Sequence, residues 1–453
     1  MRMDSSYFLP SELACFLDSS PSPYHAVLSM KRKLEAQGFS ELKEDADWSL
    51  VGHGRYYVCR QQTSLIAFIV GEKHALESQF IKSKFLIIGA HTDSPCLKLK
   101  PKPIFEHKKY LQCAVEVYGS PILATWLDRD LGLAGRVVYF DETTQTLHDQ
   151  LVCIDKPVLR IPSLAIHLQR DVNQNGLKIN PQTQLAPIWS VNCPESVGKD
   201  SSIWPLLSLD AHLSIQLHQL RRFDLCLFDT QKTVYAGAES EFVQAARLDN
   251  LACCLSGLQA LLKNCELPQE DTRVLVCYDH EEVGSTSACG AQSSFLEQVL
   301  RRIIALVAPA QLESVYAQMM ARSWFVSADM AHAIHPNYAD MHDSNHFPVL
   351  GKGPVLKNHA CLRYGTDGYS GSYFEQLCRE SMLDMQYFSM RNDLSCGSTI
   401  GPISASTLGV HVVDVGAPML SMHSIREMAH IKDIQSLCAV LNRFYTHPLQ
   451  VCA

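Results

Sequence analysis

Two histidines and a group of carboxylates stand at distant points of this chain, each at the edge of an apolar run. "LIIGAHTD" sets His91 and Asp93 directly behind a strand-like stretch, and "ARLDNLACC" puts Asp249 at a helix entrance. "YDHEEVGS" offers Glu281 and Glu282, "FVSADMAH" ends a strand on Asp329, and "APMLSMHSIREM" presents His423 ahead of an expected helix. Histidine nitrogen and carboxylate oxygen are the donors that borderline divalent ions take, and two histidines with three carboxylates suit a pair of ions sharing one carboxylate. The run Asp279 to Glu282 points the same way, with three carboxylates and an imidazole in four consecutive positions. Adjacent like charges repel, and burying them without partners is costly. A cation resolves this if one of the paired glutamates binds it and its neighbour stays free to move a proton.

Each residue also has an ordinary explanation. Asp249 is a good helix cap, Asp329 a good turn former, and a lone strand-end histidine such as His91 usually just packs. Glu281, Glu282 and His423 could simply face solvent. The elements around them decide. Ligands gather at the carboxyl ends of strands in α/β sheets, so five sites far apart in sequence can converge there.

Those elements are legible. "SELACFL" reads as a helix capped by Ser11, and "SPSPYHAVLSMKRKLEAQG" as one with Ser22 as cap, Pro23 at its first position and Gly38 as its stop. "SLIAFIV" and "KFLIIGA" read as strands. From Cys96 to Glu241 the texture changes to short β-rich pieces such as "QCAVEVYG", "GRVVYF" and "VCIDKPVLRI", separated by proline-punctuated loops. After Arg247 the alternation resumes: a helix in "DNLACCLSGLQALLKN" and strands in "RVLVCY", "SWFVSAD" and "GVHVVDVG". The expectation is a catalytic α/β three-layer sandwich with a mixed, largely buried sheet, formed by residues 1–95 and 242–453. Residues 96–241 form an inserted β-rich domain.

Bulk properties narrow the classes. The chain has 453 residues, 47% hydrophobic and 19% charged, as in a folded globular protein. A net charge of -8 disfavours nucleic acid as the main partner. No run near the first residue is apolar enough for a signal or membrane span, and the 17 scattered cysteines include no CxxC pair. Reduced thiols in the cytoplasm are the expectation.

Taken together, "GAHTDSP", "RLDNL", "DHEEVGS", "SADMAHAIHPNY", "RND…TIGP" and "MHSIREMA" resemble the aspartyl aminopeptidase family of dinuclear zinc exopeptidases, in a bacterial-type member. "DRDLGLAGRV" and "RIPSLAIHLQR" extend the resemblance through the insert. The resemblance implies one metal held by His91, Asp249 and Asp329 and a second by Asp249, Glu282 and His423, with Asp249 bridging. It makes Glu281 the general base and Asp93 the carboxylate that orients His91. It implies an inserted dimerisation domain and a homododecamer built from dimers, with His167 of "LAIHLQR" donated into a neighbouring subunit's site. Lys357 of "GPVLKNH" and Tyr364 of "LRYG" become the substrate-binding residues that favour acidic first residues. Cys96, Ser163 and Ser398 depart from the usual family residues, and "KNHACLRYGTDGYSG" follows the pattern only in part.

The expected activity is removal of N-terminal Asp or Glu from peptides with a free N-terminus, by water that the metals activate. Zinc is the first choice of ion, and cobalt or manganese suit the same donors. Two alternatives stand beside it: an aminopeptidase of broad or neutral specificity on this scaffold, and a non-catalytic cargo or interaction protein. The four histidines His332, His335, His342 and His346 are read as packing and hydrogen bonding around Asp329 rather than a third metal site, and Cys253 and Cys254 as helix core.

Overall fold

The computed structural model describes residues 8–72, 80–191, 203–210 and 212–446. Numbered along the chain, its strands begin with β1 (Ser40–Glu41), β2 (Arg55–Arg60), β3 (Ser64–Ile69) and β4 (Phe85–His91). Then come β5 (Cys96–His107), β6 (Tyr110–Tyr118), β7 (Leu131–Asp141), β8 (Thr146–Leu159), β9 (Ile188–Ser190) and β10 (Leu220–Asp229). After these run β11 (Val234–Ala236), β12 (Phe242–Ala245), β13 (Thr272–Tyr278), β14 (Trp324–Ala328) and β15 (Ala331–His332). The last are β16 (Val355–Asn358), β17 (Gln386–Ser389), β18 (His411–Gly416), β19 (Pro418–Leu420) and β20 (Glu427–His430).

Among the described residues these make three sheets. Nine strands lie in the order β1-β2-β3-β13-β4-β14-β18-β16-β17, six in the order β8-β7-β10-β5-β6-β9, and five in the order β11-β12-β20-β19-β15. The nine-stranded sheet is mixed. Its centre, β13-β4-β14-β18, is parallel, while β3 runs against β13 and β16 against β18. Side chains alternate along each strand, and both faces of this sheet are buried. Leu86, Ile88 and Leu275 pack on one face with helices Pro23–Ala36, Leu248–Lys263 and Ile431–Thr446. Phe85, Ile87, Val274 and Val276 pack on the other with helices Phe295–Ala305 and Leu312–Arg322. Helix, sheet and helix form the three layers. The six-stranded sheet has an apolar cluster of its own around Leu97, Leu133, Val152 and Leu227.

Two expectations are corrected. The first helix runs Pro10–Asp18, so it starts ahead of the Ser11 cap expected for it. Pro10 sits in the first turn, where its missing N–H costs nothing, and the Glu12 carboxylate accepts from the Leu9 amide at 2.8 Å. No helix directly follows His423 either. The segment turns and enters β20, whose pairing with β12 from Phe242↔His430 to Ala245↔Glu427 overrides local helix propensity. The cysteines among the described residues are free thiols, while Cys193 and Cys452 lie outside those residues.

Candidate metal centre

Strand register assembles the site. β4 and β13 are parallel neighbours with Tyr278 opposite His91, so "HTD" and "DHEE" leave the sheet at one level. β14 flanks β4 on the other side with Ser327 opposite Gly89, which delivers Asp329 to the same edge. The entrance of helix Leu248–Lys263 is tied to this edge twice. Ser94 Oγ donates to the Asp249 carbonyl at 2.6 Å, and Asn250 Nδ2 donates to the Ala328 carbonyl at 2.9 Å. Asp249 itself has extended, non-helical backbone angles that turn its carboxylate toward the strands.

Each histidine nitrogen faces two carboxylates. His91 Nε2 lies 3.6 Å from Asp249 Oδ1 and 3.4 Å from Asp329 Oδ1. His423 Nε2 lies 3.5 Å from Asp249 Oδ2 and 3.3 Å from Glu282 Oε1. These separations are long for hydrogen bonds. They match the roughly 3.3 Å between ligand atoms around a tetrahedral zinc with bonds of about 2.0–2.1 Å. Asp249 Oδ1 and Asp329 Oδ1 are buried without a hydrogen-bond partner, as oxygens that await a cation should be. Ligand atoms of His91, Asp249 and Glu282 lie within 4.8 Å of one another. The donor set fits zinc. Asp249 offers a different oxygen to each histidine, the arrangement a bridging carboxylate needs.

The supports are equally specific. His91 Nδ1 lies 3.1 Å from the Asp93 carbonyl and 3.3 Å from its Oδ1. Asp93 also accepts from the amides of Glu281 and Glu282, each at 3.1 Å, and from the Tyr118 hydroxyl at 2.6 Å. One buried carboxylate thus orients an imidazole and fixes the Glu281–Glu282 turn. His423 Nδ1 lies 3.1 Å from the Ser120 carbonyl, so the segment after β6 orients the second imidazole. Asp279 points elsewhere, accepting from the His280 amide at 2.8 Å, and His280 pairs with Ser287. The acidic run is divided among separate contacts.

The charges shape the protonation. Burial opposes ionised His91 and His423, yet the facing carboxylates outweigh it, lifting His91 well above its ordinary range and His423 to about 11. Burial pushes Glu281 well above the usual carboxylate range and Glu282 up to about 7.

A cavity of about 360 Å³ opens over the cluster, and Glu281, Lys357, Tyr364, Phe388 and Ser398 are among its lining residues. Lys357 is 2% exposed, and its Nζ donates to Asp329 Oδ2 at 3.3 Å. It also lies 5.5 Å from the Tyr364 ring centre. His332 joins this wall, while His342 and His346 bond within their own loop. His167 sits on the turn Ile166–Leu168 and is not among the residues that line this cavity. Sequence reasoning missed Tyr118, Ser120 and Glu427, because hydrogen bonds between segments that only the fold brings together leave no spacing signature.

A mixed sheet with a buried imidazole and carboxylates at the ends of its parallel strands, faced by a second, partly exposed imidazole, is the build of a metal-dependent hydrolase. The family described as aminopeptidase I zinc metalloprotease (M18) matches residues 16–445, and the chain belongs to that family. It is a zinc metalloaminopeptidase. A probable M18 family aminopeptidase 2 of Ectopseudomonas mendocina (strain ymp) is 45% identical over 433 residues, 96% of this chain and 97% of the relative. Among solved structures, one chain of the Ape4 and Nbr1 complex superposes with a TM-score of 0.91 at 37% identity, over 96% of this chain and 85% of that one. The S. cerevisiae mApe1 dodecamer gives 0.80 at 30% identity, over 96% of both chains.

Proposed function

We propose that this chain uses two divalent ions to remove acidic residues from the N-termini of peptides. The carrying observation is the sharing of Asp249 between His91 and His423, each imidazole completing its set with a second carboxylate. His91, Asp249 and Asp329 would hold one ion, and Asp249, Glu282 and His423 the other. When bound, zinc supplies Lewis acidity that polarises the scissile carbonyl and activates water; cobalt or manganese would serve the same donors. Glu281 stands in the cavity wall outside both sets and moves the proton, taking it from water and returning it to the departing amine.

Lys357 supports acidic specificity. Among the described residues lining the cavity it carries the fixed positive charge, with Tyr364 beside it. One observation favours the neutral alternative: Asp329 already answers that charge, and Phe388, Met330 and Ile403 make other walls apolar. Hydrolysis of Asp-, Glu- and Leu-terminated substrates, before and after chelation and zinc re-addition, tests the reading. Acidic termini should turn over fastest and only with metal. Preference for Leu would overturn the acidic pocket, and no metal-dependent turnover would leave a cargo or interaction protein.

We read residues 96–241 as a dimerisation domain and the assembly as a homododecamer, with His167 reaching a neighbouring subunit. Leu164, Ile166 and Leu168 flank His167 and are 59%, 47% and 74% exposed, an apolar arm that a second copy would cover. The S. cerevisiae relative is described as a dodecamer. The free thiols support a cytoplasmic setting. No helix among the described residues is long and apolar enough to cross a membrane.

A further inference from the structure

Glu427 lies on β20, 2% exposed, and among the described residues no salt bridge neutralises it. A carboxylate that deep needs strong hydrogen bonds. It has two, and both come from ligand-bearing backbones. Glu427 Oε2 accepts from the Asp249 amide at 3.1 Å, and Oε1 accepts from the His423 amide at 2.8 Å. Both backbones are irregular where they are held. Asp249 is extended inside a helix, and His423 has a φ of +67°, two residues after Ser421 at +58°. Left-handed angles at non-glycine residues persist only when the surroundings fix them.

We infer that Glu427 is a positioning residue for the second metal, joining the bridging carboxylate to the last histidine through their main chains. The inference rests on the two-ion reading above. Asp93 braces His91 and the Glu281–Glu282 turn, and Glu427 braces Asp249 and His423, so the two buried carboxylates between them hold four of the five ligands. Glutamine preserves the shape of the side chain but presents an NH2 donor to one of the two amides. Alanine removes both acceptors. Aspartate keeps both oxygens but is too short to span both amides.

The test titrates zinc into chelator-stripped protein against a chromophoric chelator, for the wild type, Glu427→Gln, Glu427→Asp and Glu427→Ala. The expected result is a weaker second zinc in all three variants, by about 10–100-fold, with the first site changed less. The rise in melting temperature on zinc loading should shrink in step. Two zinc ions bound by every variant with wild-type affinity would overturn the inference, even if the metal-free variants melt lower, since that pattern marks a purely structural residue. Wild-type protein that binds fewer than two ions would instead sink the two-ion reading. If the variants do not fold, hydrogen exchange in metal-free wild-type protein decides. Slow exchange of the Asp249 and His423 amides supports the brace, and exchange as fast as in exposed loops refutes it.

Discussion

Glu281 and Glu282 are adjacent in sequence, and one carboxylate, Asp93, accepts from both their amides and so sets where each side chain goes; on the proposed reading Glu281 moves the proton and Glu282 holds metal. Glu281→Gln should therefore fold and load zinc normally while losing about 10²–10⁴-fold in turnover. Peptide hydrolysis alongside metal content checks this, and near-normal activity would remove Glu281 from the mechanism. Lys357→Met should lower the preference for Asp over Leu substrates by about tenfold or more, the worth of one charged hydrogen bond. Protonation offers a third test. In the metal-free site His423 and Glu282 bind protons more tightly than in the unfolded chain, with values of about 11 and about 7. Their contribution to stability is full below the ordinary values of 6.5 and 4.5 and is lost as pH rises toward 11 and 7. Zinc needs deprotonated ligands, so its affinity rises over the same interval. The melting-temperature gap between zinc-loaded and metal-free protein should widen from about pH 6 to pH 9. A constant gap would contradict the assignment.

At the scale of elements, the strands that carry the site are readable because they are apolar runs that stop abruptly at polar residues. β4, β13 and β14 match "KFLIIGA", "RVLVCY" and "SWFVSAD" to within about two residues. The five-stranded sheet is not readable. Its strands are two to four residues long and pair segments as distant as Phe242 and His430, so no local period announces them. The same shortness explains the helix wrongly expected after His423. Helix Leu248–Lys263 is clear from Leu251, Cys254, Leu258 and Leu261, all fully buried. Leu258→Ala should cost about 2–5 kcal/mol in denaturant unfolding. The wall of the cavity depends on a closer fit. A Cβ at Gly401 would lie 2.1 Å from Asp414 Oδ2, and Asp414 holds Gly365 at 2.5 Å and Thr399 at 2.7 Å. Gly401→Ala should cost about 1–3 kcal/mol and lower kcat/KM more than it lowers zinc affinity.

At the scale of the whole molecule, the six-stranded sheet reaches the edge of the nine-stranded one where His91 and Asp93 sit. Tyr118 touches Asp93, and Ser120 touches His423, so the two parts of the chain share one centre. No pattern in "QCAVEVYG" could disclose that, because the contact is made by folding and not by sequence neighbours. If His167 serves an adjacent copy, His167→Ala should leave sedimentation unchanged while lowering turnover, and loss of assembly without loss of activity would reverse the assignment. The bare leucine and isoleucine side chains around that histidine carry a practical consequence. If a neighbour completes the site, the enzyme works at a rate set by how crowded it is: a plot of rate against enzyme concentration should bend upward, and a dilute sample should go quiet well before it unfolds.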